Sequence, residues 1–422
     1  MKAGQHLWAR TTLLVVLACI STTLKAQSSD SLILESLRSE GFHFTAGNHV
    51  RLLMSGQEKF DDMFESIRQA RHSIHLEYFN FRNDSIASAL FDLLRMKRQE
   101  GVEVRTLFDG FGNDSNNQPL QKKHIKALRE DGIDIHEFDP IRFPWVNHIW
   151  PRDHRKIVVI DGCIAYTGGM NVADYYIEGT EQVGEWRDMH CRIEGPAVND
   201  LQDIFCHIWK KTTGETIDGP QYFGGSPVGN QVVGIVNREP GTVYTPEGSL
   251  LGRHNAMRQL YITAIDNARD SLKLINPYFT LVPSVTKALK RAIRRGVKVE
   301  IMVSAKSDIP LTPDVVYYNA HRLMKRGADV WLYEPGFHHS KIMMVDGRLC
   351  TVGSANLDAR SLRFDYEENA VISSPAVTQQ LDSLFNADKQ KSFYLTPQTW
   401  REFRSPWKRF VGWAGHLLQP WL

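Results

Sequence analysis

A short polar pattern occurs twice in this chain of 422 residues. In each copy a histidine is followed two residues later by a lysine, seven residues later by an aspartate and seventeen residues later by an asparagine. The two sets lie 185 residues apart without a gap and consist of His154, Lys156, Asp161 and Asn171, and of His339, Lys341, Asp346 and Asn356. This period is far too long for a solenoid repeat. It predicts one duplicated domain, with halves at about 30–215 and 230–400.

The repeat continues upstream of the motifs at a slightly different spacing. Gly101 matches Gly296 and Gly132 matches Gly327, and both pairs are 195 residues apart. The first half therefore carries ten extra residues before its motif, which we place after Pro140. The following residues of this insertion region are large or aromatic: Phe143, Trp145, His148, Ile149 and Trp150. They predict either a surface that contacts lipid or a lid packed locally on the domain.

Strand and helix patterns alternate in both halves. Short apolar runs predict buried strands, and apolar residues three and four apart predict helices. The predicted strands of the first half are 73–79, 102–108, 133–138 and 156–160, and its helices are 86–99 and 121–130. Strands near 272–275, 297–303, 330–333 and 342–345 repeat this order in the second half. The alternation predicts α/β halves, each a mixed sheet flanked by helices, with the Gly-rich segment 219–229 as their boundary.

The composition excludes some classes of protein. Apolar residues make up 42% and charged residues 23% of the chain, an ordinary globular balance. The net charge is +2, from 50 basic and 48 acidic side chains, whereas nucleic-acid-binding domains usually show a stronger basic excess. We therefore expect no nucleic-acid partner. The charge neither requires nor excludes an anionic membrane surface.

The N-terminal segment has the features of an export signal. Lys2 and Arg10 precede a short apolar stretch over 11–24, and Ala26 provides a small residue for cleavage. An uncleaved anchor fits less well, because a spanning helix needs about 20 apolar residues. Cys19 leaves lipoprotein processing as a third alternative. We expect a signal peptide over 1–26.

Four cysteines follow that segment. They are Cys163, Cys191, Cys206 and Cys350. Their spacing is not that of a zinc site or of a dense disulfide framework. Buried free thiols and one or two disulfides formed after export are both compatible with it.

The motif residues suit chemistry at a phosphodiester. On a strand, side chains at i and i+2 share a face, so His154 and Lys156 point the same way, and so do His339 and Lys341. If the two sets face each other, one imidazole attacks phosphorus and the other protonates the leaving oxygen. The groups that would hold the non-bridging oxygens are Lys156, Lys341, Asn171 and Asn356.

Two simpler explanations of the motifs are weaker. A single H-x-K pattern would be typical of a surface strand without a function, but two complete copies at one offset are not. A duplicated domain with one inactive half would have lost motif residues, and both halves keep every polar position. His338 stands beside His339, but only His339 has the right spacing to Lys341.

The paired motifs resemble those of the phospholipase D superfamily, often called HKD motifs. The resemblance implies an α/β fold whose two halves face each other across a pseudo-twofold axis, a phosphohistidine intermediate, and no metal or other cofactor. It also implies a carboxylate that orients each histidine, and the matching positions are Asp188 and Glu367. Asp365 departs from the asparagine usual in that segment. The motif aspartates Asp161 and Asp346 belong to the catalytic set, although their distance in sequence from the histidines favours a structural role.

The flanking sequence is similar to that of bacterial cardiolipin synthases over about 60–422. The matching segments are 186–197, 276–279, 303–308, 353–361 and 407–422. The resemblance implies a phosphatidyltransferase that condenses two phosphatidylglycerol molecules into cardiolipin and glycerol, with His154 as the nucleophile. The alternative is an exported phospholipase D, or another phosphodiesterase or nuclease, that uses the same residues. A catalytically silent lipid-binding module fits less well because no motif residue is missing.

The C-terminal tail, 405–422, has apolar residues at helical spacing and basic residues near its start. The apolar residues are Trp407, Phe410, Val411, Ala414, Leu418 and Trp421. An amphipathic helix at a membrane interface and a core helix docked on its own domain both fit this pattern. Together with the export signal, the tail predicts an enzyme bound peripherally to the periplasmic side of a bacterial cell membrane. No feature of the sequence sets an oligomeric state.

Overall fold

The computed structural model describes residues 32–141, 151–240, 255–309 and 312–418. The expected signal peptide, the aromatic residues of the insertion before His154 and Trp421 lie outside these residues. The helices are α1 (32–39), α2 (Gly56–Gln69), α3 (Ser85–Gln99), α4 (Gly110–Ser115), α5 (Lys122–Glu130), α6 (Tyr175–Glu178), α7 (Ala197–Thr213), α8 (Ala256–Asn267), α9 (Pro283–Arg294), α10 (Thr312–Met324), α11 (Pro375–Lys389), α12 (Pro397–Phe403) and α13 (Pro406–Leu418).

Seventeen strands alternate with these helices along the described residues. They are β1 (Thr45–Leu53), β2 (Ser73–Tyr78), β3 (Glu103–Asp109), β4 (Asp134–Phe138), β5 (Ile157–Ile160), β6 (Ile164–Gly168), β7 (Glu185–Arg187), β8 (His190–Glu194), β9 (Gln231–Arg238), β10 (Ser271–Ile275), β11 (Lys298–Ser304), β12 (Asp329–Tyr333), β13 (Gly336–His338), β14 (Ile342–Val345), β15 (Leu349–Gly353), β16 (Glu367–Ser373) and β17 (Ser392–Leu395).

Fifteen of these strands form one continuous sheet with a nearly symmetric order. From the centre outward, one side runs β1, β8, β6, β5, β2, β3, β4, and the other runs β9, β16, β15, β14, β10, β11, β12, with β17 at its edge. The central strands β1 and β9 pair antiparallel, with Thr45 opposite Val233. The α/β class and the two similar halves predicted from the repeat are therefore confirmed.

Capping residues set where several helices begin. The side chains of Ser55, Asp84, Asn255 and Ser374 each accept a hydrogen bond from a backbone N–H in the first turn of the helix that follows. Such a bond satisfies one of the donors that an α-helix leaves open at its start. These residues start α2, α3, α8 and α11, four of the helices that cover the sheet.

Helices pack on both faces of the sheet. On one face, α2 and α3 cover the first half, and α8 and α9 cover the second half. On the other face, α7 and α11 share one core that contains strand residues of both halves; Leu201 and Leu381 are fully buried in it. Truncation of such a leucine to alanine typically lowers stability by about 2–5 kcal/mol. This shared core fixes the two halves, and hence the two motifs, relative to each other.

The prediction that the H-x-K residues lie on strands is wrong, because the lysine precedes its strand by one residue and the histidine by three. Strand β5 begins at Ile157 and β14 begins at Ile342, so each motif lysine immediately precedes its strand. The reason is that the segments before these strands pair with the opposite half of the molecule and not with the main sheet. The histidine and lysine of the second motif still lie on one side, because Lys341 Nζ is 2.8 Å from His339 Nδ1.

The four cysteines described by the structure are free thiols. Cys191 and Cys350 are buried, Cys206 is half-buried and Cys163 is exposed. The structure thus shows free thiols and no disulfide among these four, but only Cys191 and Cys350 are buried as expected.

The C-terminal helix α13 is docked on α10 and also exposes an apolar edge. A Cβ at Gly412 would lie 2.4 Å from the Asp314 carbonyl oxygen, so glycine is needed for this close approach. The large side chains exposed on the other side of α13 are Trp407, Phe410, Trp413 and Leu417. The docking of α13 on its own domain is therefore shown, and its contact with a membrane interface stays a prediction. Within the described residues, we find no helix with the length and apolar character needed to cross a membrane.

Candidate active site

The two motifs meet because each half pairs with a segment of the other. Strand β13 runs parallel to β7 of the opposite half, with His338 opposite Arg187. A single parallel bridge between Asp153 and Tyr366 repeats this arrangement. The next residue on one strand of each pair is the motif histidine, and the next residue on the other is a carboxylate. Each histidine therefore lies beside the carboxylate of the other half.

The first arm of the site consists of His154, Lys156, Asn171 and Glu367. His154 Nδ1 lies 3.1 Å from Glu367 Oε1 and 3.2 Å from Oε2. Glu367 is fully buried and also accepts a hydrogen bond of 2.5 Å from the Ser354 hydroxyl. We assign the Nδ1 proton to the bond with the carboxylate, which leaves Nε2 as the ring nitrogen available for chemistry.

The second arm consists of His339, Lys341, Asn356 and Asp188. His339 Nδ1 lies 2.6 Å from Asp188 Oδ2, and Lys341 Nζ lies 4.0 Å from the same oxygen. A Cβ at Gly169 would lie 2.2 Å from Asp188 Oδ1, so only glycine leaves room for this carboxylate. Asp188 and Glu367, the carboxylates expected to orient the histidines, are thus each placed at the histidine of the opposite half.

Burial and neighbouring charges set the protonation of the two arms. Burial, followed by Lys156, lowers the pKa of His154 to about 4, and burial, followed by Lys341, lowers the pKa of His339 to about 4. Burial also lowers the pKa of Lys341 to about 8. For Glu367, burial alone would raise the pKa, but His154 and Lys156 bring it down to about 2. Near pH 7 both rings are therefore mainly neutral, between a carboxylate and a cation.

The motif asparagines lie in the same cavity as the histidines. Asn171 and Asn356 are each 5% exposed, and both line the cavity. Their buried amide oxygens have no hydrogen-bond partner among the described residues. The Asn171 amide nitrogen lies 3.4 Å from the Tyr176 hydroxyl, a weak contact. The NH2 group of each amide is a donor of the kind that suits the oxygens of a phosphate.

The motif aspartates are not among the residues that line the cavity. Asp161 and Asp346 sit on tight turns with positive φ of 51° and 52°. Each carboxylate accepts hydrogen bonds from three successive backbone N–H groups, at 71–73 for Asp161 and at 269–271 for Asp346. These bonds fix the starts of β2 and β10. The geometry gives both aspartates a structural position and brings neither to the reacting groups.

Both imidazoles line one cavity of about 910 Å³. Aromatic and acidic residues that the sequence does not mark as site residues form much of its wall: Phe79, Tyr175, Tyr176, Trp186, Tyr278 and Asp308. The Tyr278 hydroxyl donates to Asp308 at 2.7 Å. Tyr278 and Asp308 lie in matching segments of the resemblance, but no spacing rule connects them to the motifs. Helix α13 closes one side of the cavity with Phe410, Val411 and Ala414.

Comparisons with known proteins agree with this geometry. The family model for the cardiolipin synthase PLD-like domain matches residues 63–209 and 261–389. The cardiolipin synthase of Oceanobacillus iheyensis is 35% identical over 390 residues, which cover 92% of this chain and 78% of that protein. The cardiolipin synthase of Listeria welshimeri is 33% identical over 396 residues, with the same two coverages of 92% and 78%.

A solved structure shows the same fold at lower sequence similarity. The phosphatidylserine synthase of Haemophilus influenzae matches with a TM-score of 0.67 at 16% identity, over 92% of this chain and 100% of that chain. The regions matched by the family model contain both histidine motifs and both orienting carboxylates. This chain belongs to the cardiolipin synthase family, and is a phosphatidyltransferase of the phospholipase D superfamily.

Proposed function

We propose that this enzyme condenses two molecules of phosphatidylglycerol into cardiolipin and glycerol through a phosphatidyl-histidine formed on His154. The observation that carries the proposal is that His154 and His339 line one cavity and each is held by a buried carboxylate of the opposite half. Two equivalent imidazoles allow one to bond to phosphorus while the other moves protons.

In the first step, Nε2 of His154 attacks phosphorus as the bond from phosphorus to the glycerol oxygen breaks. Protonated His339 gives its Nε2 proton to that oxygen, and free glycerol leaves. Glu367 stabilises the positive charge that develops on the ring of His154. A bound phosphodiester carries a negative charge, which raises the pKa of His339 from its low value in the free site.

In the second step, His339 changes from proton donor to proton acceptor, and His154 changes from nucleophile to leaving group. Neutral His339 takes the proton of a hydroxyl on the glycerol headgroup of the second phosphatidylglycerol. The oxygen then attacks phosphorus, the phosphorus–nitrogen bond to His154 breaks, and cardiolipin forms. Lys156 and Lys341 counter the charge on the non-bridging oxygens in both steps. The proton returns to His339, so the cycle needs no other reactant.

His154 is the better placed of the two rings to act as the nucleophile. Its side chain is 16% exposed, whereas that of His339 is 8% exposed. His339 also lies among the rings of Trp186, Phe337 and Tyr278, at centroid distances of 5.5, 5.4 and 6.1 Å. A more open ring accommodates a bulky lipid phosphate more easily.

The choice of a lipid alcohol over water depends on the walls of the cavity. Water can also resolve a phosphatidyl-histidine, so a transferase must hold the acceptor lipid and restrict water. The apolar residues Phe410, Val411 and Ala414 of α13 provide a surface for acyl chains beside the histidines. Binding the acceptor in the right orientation makes the second step effectively unimolecular, which favours the lipid alcohol.

The exposed edge of α13 suits attachment to a membrane surface. Trp407, Phe410 and Trp413 are 69%, 51% and 45% exposed, and Phe410 also lines the cavity. Aromatic side chains of this kind favour the interface between headgroups and acyl chains. We expect Trp407→Ser/Trp413→Ser to weaken co-sedimentation with phospholipid vesicles. Unchanged co-sedimentation would show that this edge does not contact the membrane.

The test of the function is the product balance from phosphatidylglycerol alone. We expect cardiolipin and glycerol in equal amounts, with phosphatidic acid as a minor product, measured by lipid mass spectrometry. Added glycerol should drive the reaction backwards, since both directions pass through the same intermediate. If phosphatidic acid dominates and no cardiolipin forms, the enzyme is a phospholipase or another phosphodiesterase and the synthase proposal fails.

A further inference from the structure

A second, smaller pocket lies behind the catalytic cavity. Its volume is about 310 Å³, and it is bordered by the start of α9, by α10, by α13 and by the loop after the second motif. That loop separates the two cavities: Asp358 and Arg360 face the catalytic cavity, whereas Ala359 and Arg363 line the second pocket. The mechanism proposed above uses no residue of this pocket.

The polar lining of the pocket is almost entirely basic. Its basic residues are Lys287, Lys290, Arg322, Arg363 and His416, and no acidic side chain is among its lining residues in the part of the chain that the structure describes. Arg322 contacts His416, another basic group, and not a carboxylate. Within the same described part, Lys287 and Lys290 form no ion pair. Burial and then Arg326 and Arg322 lower the pKa of Lys290, as expected where positive charges crowd together.

The fold does not require this accumulation of charge. At the offset of 195 residues, Lys287 and Arg326 correspond to Asp92 and Asp131 in the first half. There, the arginine that corresponds to Lys290 is neutralised, since Arg95 lies 2.7 Å from Asp92 and 2.5 Å from Asp131. The second half has basic residues where the first half has acids. The positive pocket is therefore a property of this half and not of the shared architecture.

The surroundings of the pocket suit an amphiphile better than a free anion. Leu281, Val282 and Pro283 form an apolar part of the lining. Leu417, which is 59% exposed, also lines the pocket and continues the exposed edge of α13 that includes Trp413. A phosphate held by the basic residues would thus leave acyl chains along the side of α13 that we assign to the membrane surface.

We propose that this basic pocket is a second lipid site, which binds the phosphate of an anionic phospholipid headgroup at the membrane surface while the catalytic cavity processes another lipid. The proposal rests on the proposed function only in placing α13 at a phospholipid surface. Anionic lipid held here fixes α13, which forms a wall of both cavities, and keeps the catalytic cavity open towards the bilayer.

The test compares two matched double variants of the full chain. Lys287→Gln/Lys290→Gln removes two charges from the pocket, and Lys122→Gln/Lys123→Gln removes two exposed charges from α5 in the first half. Binding is measured by co-sedimentation with phosphatidylcholine vesicles that contain phosphatidylglycerol, and with vesicles of phosphatidylcholine alone. Since a lysine near an anionic surface contributes about 1 kcal/mol, the pocket variant should lose about 10- to 30-fold in affinity for the anionic vesicles.

The control variant should bind the anionic vesicles within about twofold of the unaltered enzyme, because its lysines lie outside the pocket. Thermal unfolding of all three proteins shows whether each is folded. Equal losses in both variants, or no loss in the pocket variant, would overturn the proposal. Saturable binding of inorganic phosphate that depends on Lys287 and Lys290, without a change in vesicle affinity, would identify a free-anion site and also overturn it.

The proposed function can fail independently of this result. Cardiolipin formation by the unaltered enzyme in detergent micelles needs no bilayer, so it tests the reaction alone. An enzyme that forms no cardiolipin there contradicts the proposed function. The difference in vesicle affinity between the two double variants still decides whether the pocket binds anionic lipid.

Discussion

The two arms of the active site share one backbone plan and differ in the side chains behind each histidine. In the first arm, the two oxygens of Glu367 lie 3.1 and 3.2 Å from His154 Nδ1. In the second arm, the shorter Asp188 places one oxygen 2.6 Å from His339 Nδ1. The repeat position that contacts the carboxylate is Ser354 in the first arm, where it donates to Glu367, and is glycine in the second.

This difference teaches that the arms are not interchangeable. Both carboxylates are buried, but the shorter bond to Asp188 stabilises the imidazolium of His339 more strongly, which suits a ring that carries a proton between steps. The oxygens of Glu367 lie farther from the ring of His154, so they polarise it less strongly, which suits a neutral nucleophile. Under the proposed mechanism, the residues behind the two rings therefore suit different tasks for His154 and His339.

Replacing each histidine in turn is expected to have the largest effect. His154→Ala and His339→Ala should each lower turnover by about 10³-fold or more, since general acid–base catalysis alone contributes about 10²- to 10⁴-fold and the nucleophile contributes in addition. With a labelled phosphatidyl ester whose leaving group needs no proton, His339→Ala should form the covalent intermediate on His154 and accumulate it, whereas His154→Ala should form none. Peptide mapping after rapid quenching measures the label. Label on His339 would reverse the assignment, and near-full activity of either variant would contradict a shared site.

Exchanging the glycine and the serine that contact the two carboxylates should lower turnover by different amounts in the two arms. Gly169→Ser puts a Cβ 2.2 Å from Asp188 Oδ1 and displaces the carboxylate from His339, so we expect a loss of turnover of about 100-fold or more. Ser354→Gly removes one hydrogen bond to Glu367 and leaves the carboxylate in place. A bond to a charged group contributes about 1.5–3 kcal/mol, so turnover should fall by about 10-fold to 100-fold. Equal losses in steady-state turnover would show that the two arms tolerate the exchange alike.

The sequence predicted the fold class and the repeat well because both depend on local patterns. The strand predicted at 342–345 is β14, and the other predicted strands and helices shown in the structure differ at their ends by one or two residues. Periodicity and the exact offset of the motifs carry this information within short segments. The single sheet through β1 and β9 was not predicted, since pairing between distant strands leaves no mark in either strand alone.

The sequence predicted which residues form the site, but it did not predict which of them contact each other. The pairing of β7 with β13 brings Asp188 to His339, 151 residues away in sequence, and the bridge between Asp153 and Tyr366 brings Glu367 to His154, 213 residues away. Spacing in the sequence cannot reveal either contact. Tyr278 and Asp308 needed the folded cavity to be recognised, because aromatic and acidic residues outside a motif are usually core or surface residues.

The pH dependence tests whether one proton on the pair of rings is required. Since both histidines have a pKa of about 4 in the free site, the free enzyme loses that proton as pH rises above 4. We therefore expect kcat/KM for a soluble phosphodiester to fall as pH rises from this value, and to fall more steeply above the pKa of Lys341, about 8. The bound phosphodiester raises the pKa of the rings, so kcat should persist to higher pH.

The second arm should control the pH at which kcat/KM falls. Asp188 raises the pKa of His339, so Asp188→Asn should shift the fall in kcat/KM to lower pH. Glu367→Gln removes the corresponding support from His154, whose task in the first step does not need a proton. Rate profiles for the two variants, compared with that of the unaltered enzyme, measure the difference. Identical shifts in both would contradict the division of roles between the arms.

Substitutions of the motif aspartates should have the smallest effect on turnover, and their effects on stability should be nearly equal in the two halves. Asp161 and Asp346 each accept three backbone hydrogen bonds at 2.7–3.0 Å, and neither lines the cavity. Asparagine tolerates the positive φ of these turns but loses the charge that strengthens the bonds. We expect Asp161→Asn and Asp346→Asn each to lower the free energy of unfolding by about 1–3 kcal/mol.

The turnover of the folded fraction decides whether these aspartates are structural or catalytic. A structural residue lowers stability without changing the chemistry of molecules that remain folded, so each variant should keep turnover within about threefold at a temperature well below its unfolding transition. Denaturant unfolding and initial rates on the same preparation separate the two quantities. A loss of 100-fold or more with unchanged stability, in either half, would place that aspartate with the histidines after all. Equal destabilisation in both halves would show that the turn after each motif has kept one function since the duplication, while the residues behind the histidines have diverged.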